Sequence, residues 1–543
     1  MNELIPEAPP ARARGGEPAK RREASETGYR KIVGWDRVRQ GYAEYLHDES
    51  RLAAPRVDAI HFPTTAGEVA EAVRAVRQAG HRAAISGGRT GITGAAVPLG
   101  AEEIISLERL KAKPAVRRDK DGNWSVHVWA GMTLAELTDA LDHGLCDYPD
   151  GKPQERLFYP VDTTEVTAQL GGTIATNASG ARTLYYGPTR RWVNWLKLVT
   201  ADGRILRLRR GEVGANGDLL LFRREDGRRI EVRTPDLPIP PTKHAGGYYL
   251  KRNMDAVDLF IGSEGTLGIV VEAELRLIEK PANRLFLTQF VEGADAAVAL
   301  VTECERHSAL TPLALEYIGP EAMALLRSVG QETPAYVEVS RLPADAAAAL
   351  YAELAFRDEA ELDFIYAALQ EVLAKVGLES ASSWAGFTER DMEEMKRLRH
   401  AMPETVNAII SRRKMKVPEL HKVGTDMAVP VESLGAMMDF YRRRLEESGL
   451  DYVIFGHIGD GHLHVNILPN TAGDLKRAEE LYMEFAAEAV RLGGSVAAEH
   501  GIGRIKKKFL QVQFGEQDIE AMRAVKRALD PDCILNPGVL FDL

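Results

Sequence analysis

Residues 455–469 read FGHIGDGHLHVNILP and put His457, His462 and His464 within eight positions, in a 543-residue chain with only 13 histidines. Imidazoles at that density suit metal ligation or proton transfer near neutral pH. The run reads as a hairpin, because two strand-like stretches flank Asp460-Gly461, a strong two-residue turn signal. With that turn, Ile458 faces Leu463 and His457 faces His464. Opposed residues hold their Cβ atoms about 4.5–5.5 Å apart, so these two imidazoles can share one ion. Alternation adds His462 and Asn466 to this face and sends Ile454, Ile458, Leu463, Val465 and Ile467 to the reverse as a core pattern. Two histidines need a further ligand, usually a carboxylate. GGSVAAEHGIGRIKKKFL (493–510) offers Glu499 and His500 at the end of an apolar, strand-like run just before a helix.

A second kind of signal comes from glycine. GGRTGITGAAVP (87–98) follows a short strand, HRAAIS, and holds Gly87, Gly88, Gly91 and Gly94 within eight positions. Backbone N–H groups in such a loop can approach an anion closely. The spacing is not the G-x-G-x-x-G of a Rossmann loop, and no G-K-[ST] marks a P-loop. AQLGGTIATNASGARTLYYG (168–187) and DLFIGSEGTLGIVVEAELRLI (258–278) repeat the small, polar, glycine-rich character. Together the loops indicate a large phosphate-bearing cofactor. By themselves the residues stop at a dinucleotide-like ligand.

The elements that must carry these loops are partly legible. Thr65 and Glu68 form a T-x-x-E capping box before EVAEAVRAVRQAG, a helix stopped by Gly80. WLKLVTADGRIL (195–206) is strand-like, while the charged and Pro-rich residues 207–247, with TPDLPIPPTK, read as a surface insertion. After Pro281, strand text alternates with Ala-rich helix text to about residue 498. DIEAMRAVKRALDPDCILNPGVLFDL is a helix stopped by Asp530-Pro531 and then an extended tail. The expected division is a disordered tail over 1–29, a domain over 30–280, a second over 281–498, and a return to the first over 499–543.

Hydrophobic residues make up 45% and charged residues 27%, an ordinary globular balance. A net charge of -10 argues against nucleic acid as a partner. Cys146, Cys304 and Cys533 stand far apart without a CxxC, so they build no iron–sulfur or thiolate zinc site unaided and read as reduced thiols. No apolar run of about 18 residues predicts a transmembrane helix, and the N-terminus lacks a signal-peptide core. The expectation is a cytoplasmic protein, with peripheral membrane association left open.

SGGRTGITGAAVP, LGGTIATNASG with YYGPTRRWV, and IGSEGTLGIV together resemble the FAD-binding domain of the vanillyl-alcohol oxidase / para-cresol methylhydroxylase flavoproteins, in that family's order. The resemblance implies an α+β fold: a two-part FAD-binding domain plus an α+β substrate (cap) domain with an antiparallel sheet. It assigns Gly87, Gly88, Arg89, Thr90, Gly91, Thr93 and Gly94 to the FAD pyrophosphate. Asp162, Gly171, Gly172, Thr176, Asn177, Ser179, Gly180, Glu264, Gly265, Ile269 and Asn536 are assigned to the rest of the cofactor. The first loop holds no histidine, and His81 only begins the strand before it, so the FAD is expected to be noncovalent.

HIGDGHLHVN and EHGIG are similar to the C-terminal domain of D-lactate dehydrogenases, D-2-hydroxyglutarate dehydrogenases and the flavin subunit of glycolate oxidase. The likeness implies zinc or another divalent metal on His457, His464 and Glu499. His462 stands where Asn is common, and three roles stay open for it: an added ligand, a tuning group, or a neutral position. Arg399 and Lys422, which as isolated residues read as surface charges, are carried over as holders of a substrate carboxylate, with Asn466 completing the pocket. Lys396 stands where the family often has tryptophan. His500 is the implied general base and a substrate contact. The expected reaction is oxidation of a D-2-hydroxy acid, D-lactate or similar, to the 2-oxo acid by metal-assisted hydride transfer to flavin N5, with electrons passed to an external acceptor: a cytochrome, a quinone or an electron-transfer flavoprotein. A homodimer is an open option. Two alternatives share the flavin domain: an alkyl-dihydroxyacetone-phosphate-synthase-like flavoenzyme and a flavin subunit of a glycolate-oxidase-type complex.

Overall fold

The structure is a computed structural model that describes residues 28–223, 227–330, 342–344, 346–379 and 382–543. The tail expected over 1–29 therefore lies almost entirely outside the described residues. The chain is α+β, with mixed and antiparallel sheets.

Strands Arg30–Val33, Ala59–Phe62, Glu103–Ser106 and Ala83–Ser86 form one sheet in that order, the last three parallel. Helix Ala66–Gln78 connects two of them and buries its Val69, Val73 and Val76 stripe. Thr65 Oγ1 caps it by accepting the Glu68 N–H, but the Glu68 carboxylate turns to the Thr64 N–H and hydroxyl. The capping box is thus only half formed. The first glycine-rich loop leaves the C-terminal end of Ala83–Ser86, where parallel strands present their ligands. The C-terminal tail returns to this strand: Leu535 bridges Ala83, and Asn536 Oδ1 accepts the Ile85 N–H at 2.7 Å.

A second, antiparallel sheet runs Ala115–Arg118, Trp124–Trp129, Ile269–Glu279, Val193–Val199, Ile205–Arg209, with Leu157–Phe158 pairing the far end of the long strand. The GSEGTLG loop feeds directly into Ile269–Glu279. Helix Leu170–Ala175 carries the GGTIA segment, and Gly171 sits so close to Ala130 that a Cβ would meet it at 2.6 Å.

The third sheet is antiparallel throughout: Ser383–Gly386, Asn283–Val291, Ala348–Phe356, Ala314–Ile318, Tyr452–Gly456, His464–Ile467 and Val423–Gly424. Helices Ala294–Arg306, Leu434–Ser448 and Ala472–Arg491 bury apolar stripes in its core.

The segment expected to be a surface insertion is better integrated than its composition suggests. Leu219–Arg223 and Arg229–Arg233 pair with Leu220, Phe222 and Val232 fully buried. Its end dives inward, so that the Lys243 side chain is 2% exposed. Pro and charged residues masked a period-2 apolar pattern short enough to escape notice.

Candidate active site

The histidine run is not a two-residue hairpin. Phe455 pairs with His464 and Ile454 with Val465, and the chain between makes a longer loop with a 3-10 turn at Ile458–Asp460. Gly461 takes φ 62° and packs so tightly that a Cβ would stand 1.9 Å from the Val429 carbonyl. Burying Ile458 and Leu463 against the core decides the register against the local Asp-Gly preference. The apolar face is as expected: Ile454, Ile458, Leu463, Val465 and Ile467 are all buried.

The histidines still converge. Ring centroids lie 5.5 Å apart for His457–His464 and 4.4 Å for His462–His464. One ligand atom from each of His457, His462, His464 and Glu499 falls within 4.8 Å of the others. Each of the two expected histidine ligands is oriented from behind. His457 Nδ1 donates to Glu316 Oε1 at 2.5 Å, and His464 Nδ1 donates to the Thr425 carbonyl at 3.3 Å. Both Nε2 atoms are thereby left to face Glu499, at 3.3 and 4.0 Å. A carboxylate or carbonyl on the far nitrogen is how metal-bound imidazoles are held. Among the described residues, neither ring nitrogen of the fully buried His462 completes a hydrogen bond, although its Nε2 stands 3.4 Å from Asp426 Oδ1. A buried imidazole so weakly paired has a ring nitrogen to offer to a shared donor set. Burial disfavours charge on His457, yet Glu316 and Glu499 outweigh it and push the imidazole up to about 9. Burial, with His462 and His457 beside it, keeps His464 well below the ordinary range, in the neutral form a ligand needs.

Glu499 and His500 do not end a strand. The apolar lead-in is irregular, tied by one bridge between Ala428 and Ser495, and the chain turns at Gly501 with φ 73°. Asp426 holds this turn. Its Oδ1 accepts the Glu499 N–H at 3.2 Å, its Oδ2 accepts the His500 N–H at 3.1 Å, and Lys506 Nζ approaches to 2.6 Å. His500 Nδ1 stands 3.1 Å from Asp426 Oδ1. Burial alone would raise the Asp426 carboxyl, but His500, Lys506 and His462 hold it well below the usual range. The carboxylate fixes the imidazole and leaves its Nε2 free.

These groups border the glycine-rich loops. One cleft of about 370 Å³ is lined by Gly87, Gly88, Arg89, Thr90, Gly91 and Thr93, by Gly171, Gly172, Thr176 and Ser179, and by Glu264, Gly265 and Ile269, with Glu499, His500 and Asn536 closing it. Gly91 and Gly172 face open space where a Cβ would project, and the buried Gln169 Oε1 and Ser179 Oγ have no hydrogen-bond partner among the described residues. A polar cradle with spare acceptors and donors fits a pyrophosphate-bearing flavin. Gly94, Asp162, Asn177 and Gly180 do not line the cleft. They shape it from behind: a Cβ on Gly180 would stand 1.4 Å from the Asp162 carbonyl, and Asn177 Oδ1 accepts the Arg190 N–H. Thr93 stitches the first loop to the histidine turn, its carbonyl accepting the Arg504 N–H at 2.8 Å.

Lys422, just before Val423–Gly424, is half-buried and makes no hydrogen bond or ion pair among the described residues; burial, with Arg51 beside it, lowers its affinity for a proton. Asn466 is buried and paired with Gly424. Arg399 falls within the helix Glu389–Lys414, and its side chain, like that of Lys396, is outside the described residues. Sequence reasoning missed Glu316, Asp426 and Lys243. The first two had a signal, a lone acid inside the apolar runs LALEYI and TDMAV; Lys243 had none.

Residues 57–209 match the family described as FAD binding domain, and residues 280–540 match FAD linked oxidases, C-terminal domain. The protein is an FAD-linked oxidoreductase. It is 31% identical to the D-2-hydroxyglutarate dehydrogenase of Xanthomonas citri pv. viticola, over 92% of each chain. The D-lactate dehydrogenase of Archaeoglobus fulgidus is 29% identical over 91% of this chain and 94% of its own. Glycolate oxidase subunit GlcD of Bacillus subtilis is 26% identical over 93% and 94%. An alkyldihydroxyacetonephosphate synthase structure superposes with a TM-score of 0.59 over 89% of this chain and 77% of that one; at 16% identity this likeness concerns the fold alone. The chain belongs to the FAD-linked oxidoreductase family that includes the D-2-hydroxyglutarate and D-lactate dehydrogenases.

Proposed function

We propose that the protein oxidises a D-2-hydroxy acid, of the D-lactate or D-2-hydroxyglutarate kind, to the 2-oxo acid, using noncovalent FAD and a divalent metal, zinc first. The observation that carries this reading is the shared cleft, in which Glu499 and His500 line the same cavity as the three glycine-rich stretches. When bound, FAD supplies a hydride acceptor and the metal supplies a Lewis acid for the substrate oxygens. The chain's own residues do the rest. His457, His464 and Glu499 would hold the metal, with His462 as a fourth donor. His500 Nε2 takes the hydroxyl proton as C2 gives up hydride, and Asp426, 3.1 Å from Nδ1 on the other side of the ring, keeps the imidazole aimed. Lys422 meets the substrate carboxylate beside Asn466, and Arg399 joins them on the family resemblance. His81 donates to Glu103 at 2.8 Å and does not line the cleft, which supports noncovalent flavin. Electrons then leave to an external acceptor.

The test is direct. Acid precipitation should release FAD, and anaerobic D-lactate or D-2-hydroxyglutarate should bleach the flavin while the L isomers do not. A flavin that no 2-hydroxy acid reduces sinks the reading.

A further inference from the structure

Lys243 has no part in the reaction as described, yet it sits at the metal centre. Its side chain is 2% exposed, and its ammonium donates to the Gly180 carbonyl at 2.9 Å. The same nitrogen stands 2.6 Å from Glu499 Oε1 and 3.2 Å from Asp460 Oδ2. An ammonium paired with a carboxylate beside a dication site is electrostatically unfavourable for the metal, so its presence calls for a reason.

The reason lies in what the ammonium holds. The ammonium pairs with two carboxylates, Glu499 and Asp460. Glu499 is a proposed ligand, and Asp460 rides on the loop between His457 and His464. Lys243 pairs with Glu499 Oε1, the oxygen that also stands 3.3 Å from His457 Nε2, while Oε2 faces His464 Nε2 at 4.0 Å; without Lys243, Oε1 and the Asp460 carboxylate lose their ammonium partner. Both carboxylates would then be available as further donors beside the three histidine nitrogens. A 2-hydroxy acid offers a hydroxyl and a carboxylate oxygen and needs positions left open, as catalytic metal sites leave them.

We propose that Lys243 is a positioning residue that keeps the metal centre open, by restricting Glu499 to one ligating oxygen and holding Asp460 outside the sphere. This rests on the metal reading above. Its signature separates it from a merely structural role: removing the lysine tightens metal binding while it slows turnover. The contact with Gly180 also ties this control to the segment behind the flavin cleft.

The experiment uses the FAD-loaded enzyme and measures Zn2+ affinity by competition with a chromogenic chelator. The visible spectrum of the Co2+-substituted protein reports coordination number, and flavin content and Tm report folding. Lys243→Met should bind Zn2+ on the order of tenfold or more tightly, as expected for loss of one like charge a few ångströms away. Its kcat should fall, and its Co2+ absorption should weaken as the coordination number rises. Lys243→Arg, which keeps the charge, should retain wild-type Zn2+ affinity. Adding Asp460→Asn to Lys243→Met should bring the affinity back toward wild type. A folded, flavin-loaded Lys243→Met with unchanged or weaker Zn2+ binding and an unchanged Co2+ spectrum overturns the proposal and leaves the dehydrogenase reading standing. A wild-type enzyme that binds no divalent metal overturns this proposal and the metal reading together. If Lys243→Met does not fold, Asp460→Asn alone decides: Zn2+ affinity should stay within threefold of wild type, and a larger loss would show Asp460 to be a ligand already.

Discussion

Around Gly87–Thr93 and Gly171–Thr176 the wall of the cleft is backbone, bare at Gly91 and Gly172 and held in the left-handed region at Arg89 (φ 60°). Around Glu499 the surroundings are titratable side chains: three histidines, the acids Glu316, Asp426 and Asp460, and Lys243. The first region selects its ligand by shape and by N–H groups, so it fails when an atom is added. The second selects by charge and donor chemistry, so it fails when a group is removed. Glu264 belongs to both. It lies in the GSEGTLG loop with φ 52°, and its carboxylate accepts the Ile502 and Gly503 N–H groups at 2.8 and 2.9 Å, pinning the turn that carries Glu499 and His500.

The comparison breaks most sharply if the two regions cannot be disabled separately. Gly172→Val places a branched side chain into the open cleft and should yield a folded protein without flavin that still binds Zn2+. His464→Ala should do the reverse, losing metal while staying yellow. Flavin and metal lost together in both variants would mean one cooperative site rather than two. Within the charged region, His500→Asn should lower kcat on the order of 10²–10⁴-fold with both cofactors retained, the usual worth of a positioned base. A loss under about threefold would hand the proton to another group.

Glu264 gives the next effect, and it is one of pH. Burial pushes its carboxyl from 4.5 up to about 7, against two backbone N–H bonds that partly offset it. Because the folded value is raised, its contribution to stability is complete below pH 4.5 and is lost as pH rises through 7. At about 1.4 kcal/mol per unit, the metal- and flavin-stripped wild type should lose roughly 3 kcal/mol across that window relative to Glu264→Gln. Denaturant unfolding at several pH values measures this, and parallel curves for the two proteins would refute it. The smallest effect is that of Glu316→Gln, at the carboxylate that accepts from the far nitrogen of His457. It should weaken Zn2+ binding about 10–100-fold and leave flavin content unchanged. Equal loss of flavin would show that Glu316 serves the fold and not the metal.

The glycine-rich loops could be read from the chain because their chemistry is local. A loop that must bring backbone to an anion declares itself by missing side chains within a dozen residues. His457, His464, Glu499 and His500 were likewise visible as unusual residue types in apolar text, and the core face of the histidine run followed from alternation alone. Their geometry was not visible. The Asp460-Gly461 signal favoured a tight hairpin, and burial of Ile458 and Leu463 against the sheet core overrode it.

What tertiary structure alone decided is the set of partners behind the ligands. Glu316 lies 141 positions before His457, and Asp426 lies 74 before His500. Lys243 comes from a Pro-rich stretch whose composition points to the surface. Charge pairing over such separations leaves no periodicity and no motif, since Coulomb attraction acts through space and a low-dielectric interior selects partners only after the sheets have packed. Residue type and spacing determined which groups could do the chemistry. Packing determined which charges stand beside them, and so which oxygen and which nitrogen each one presents.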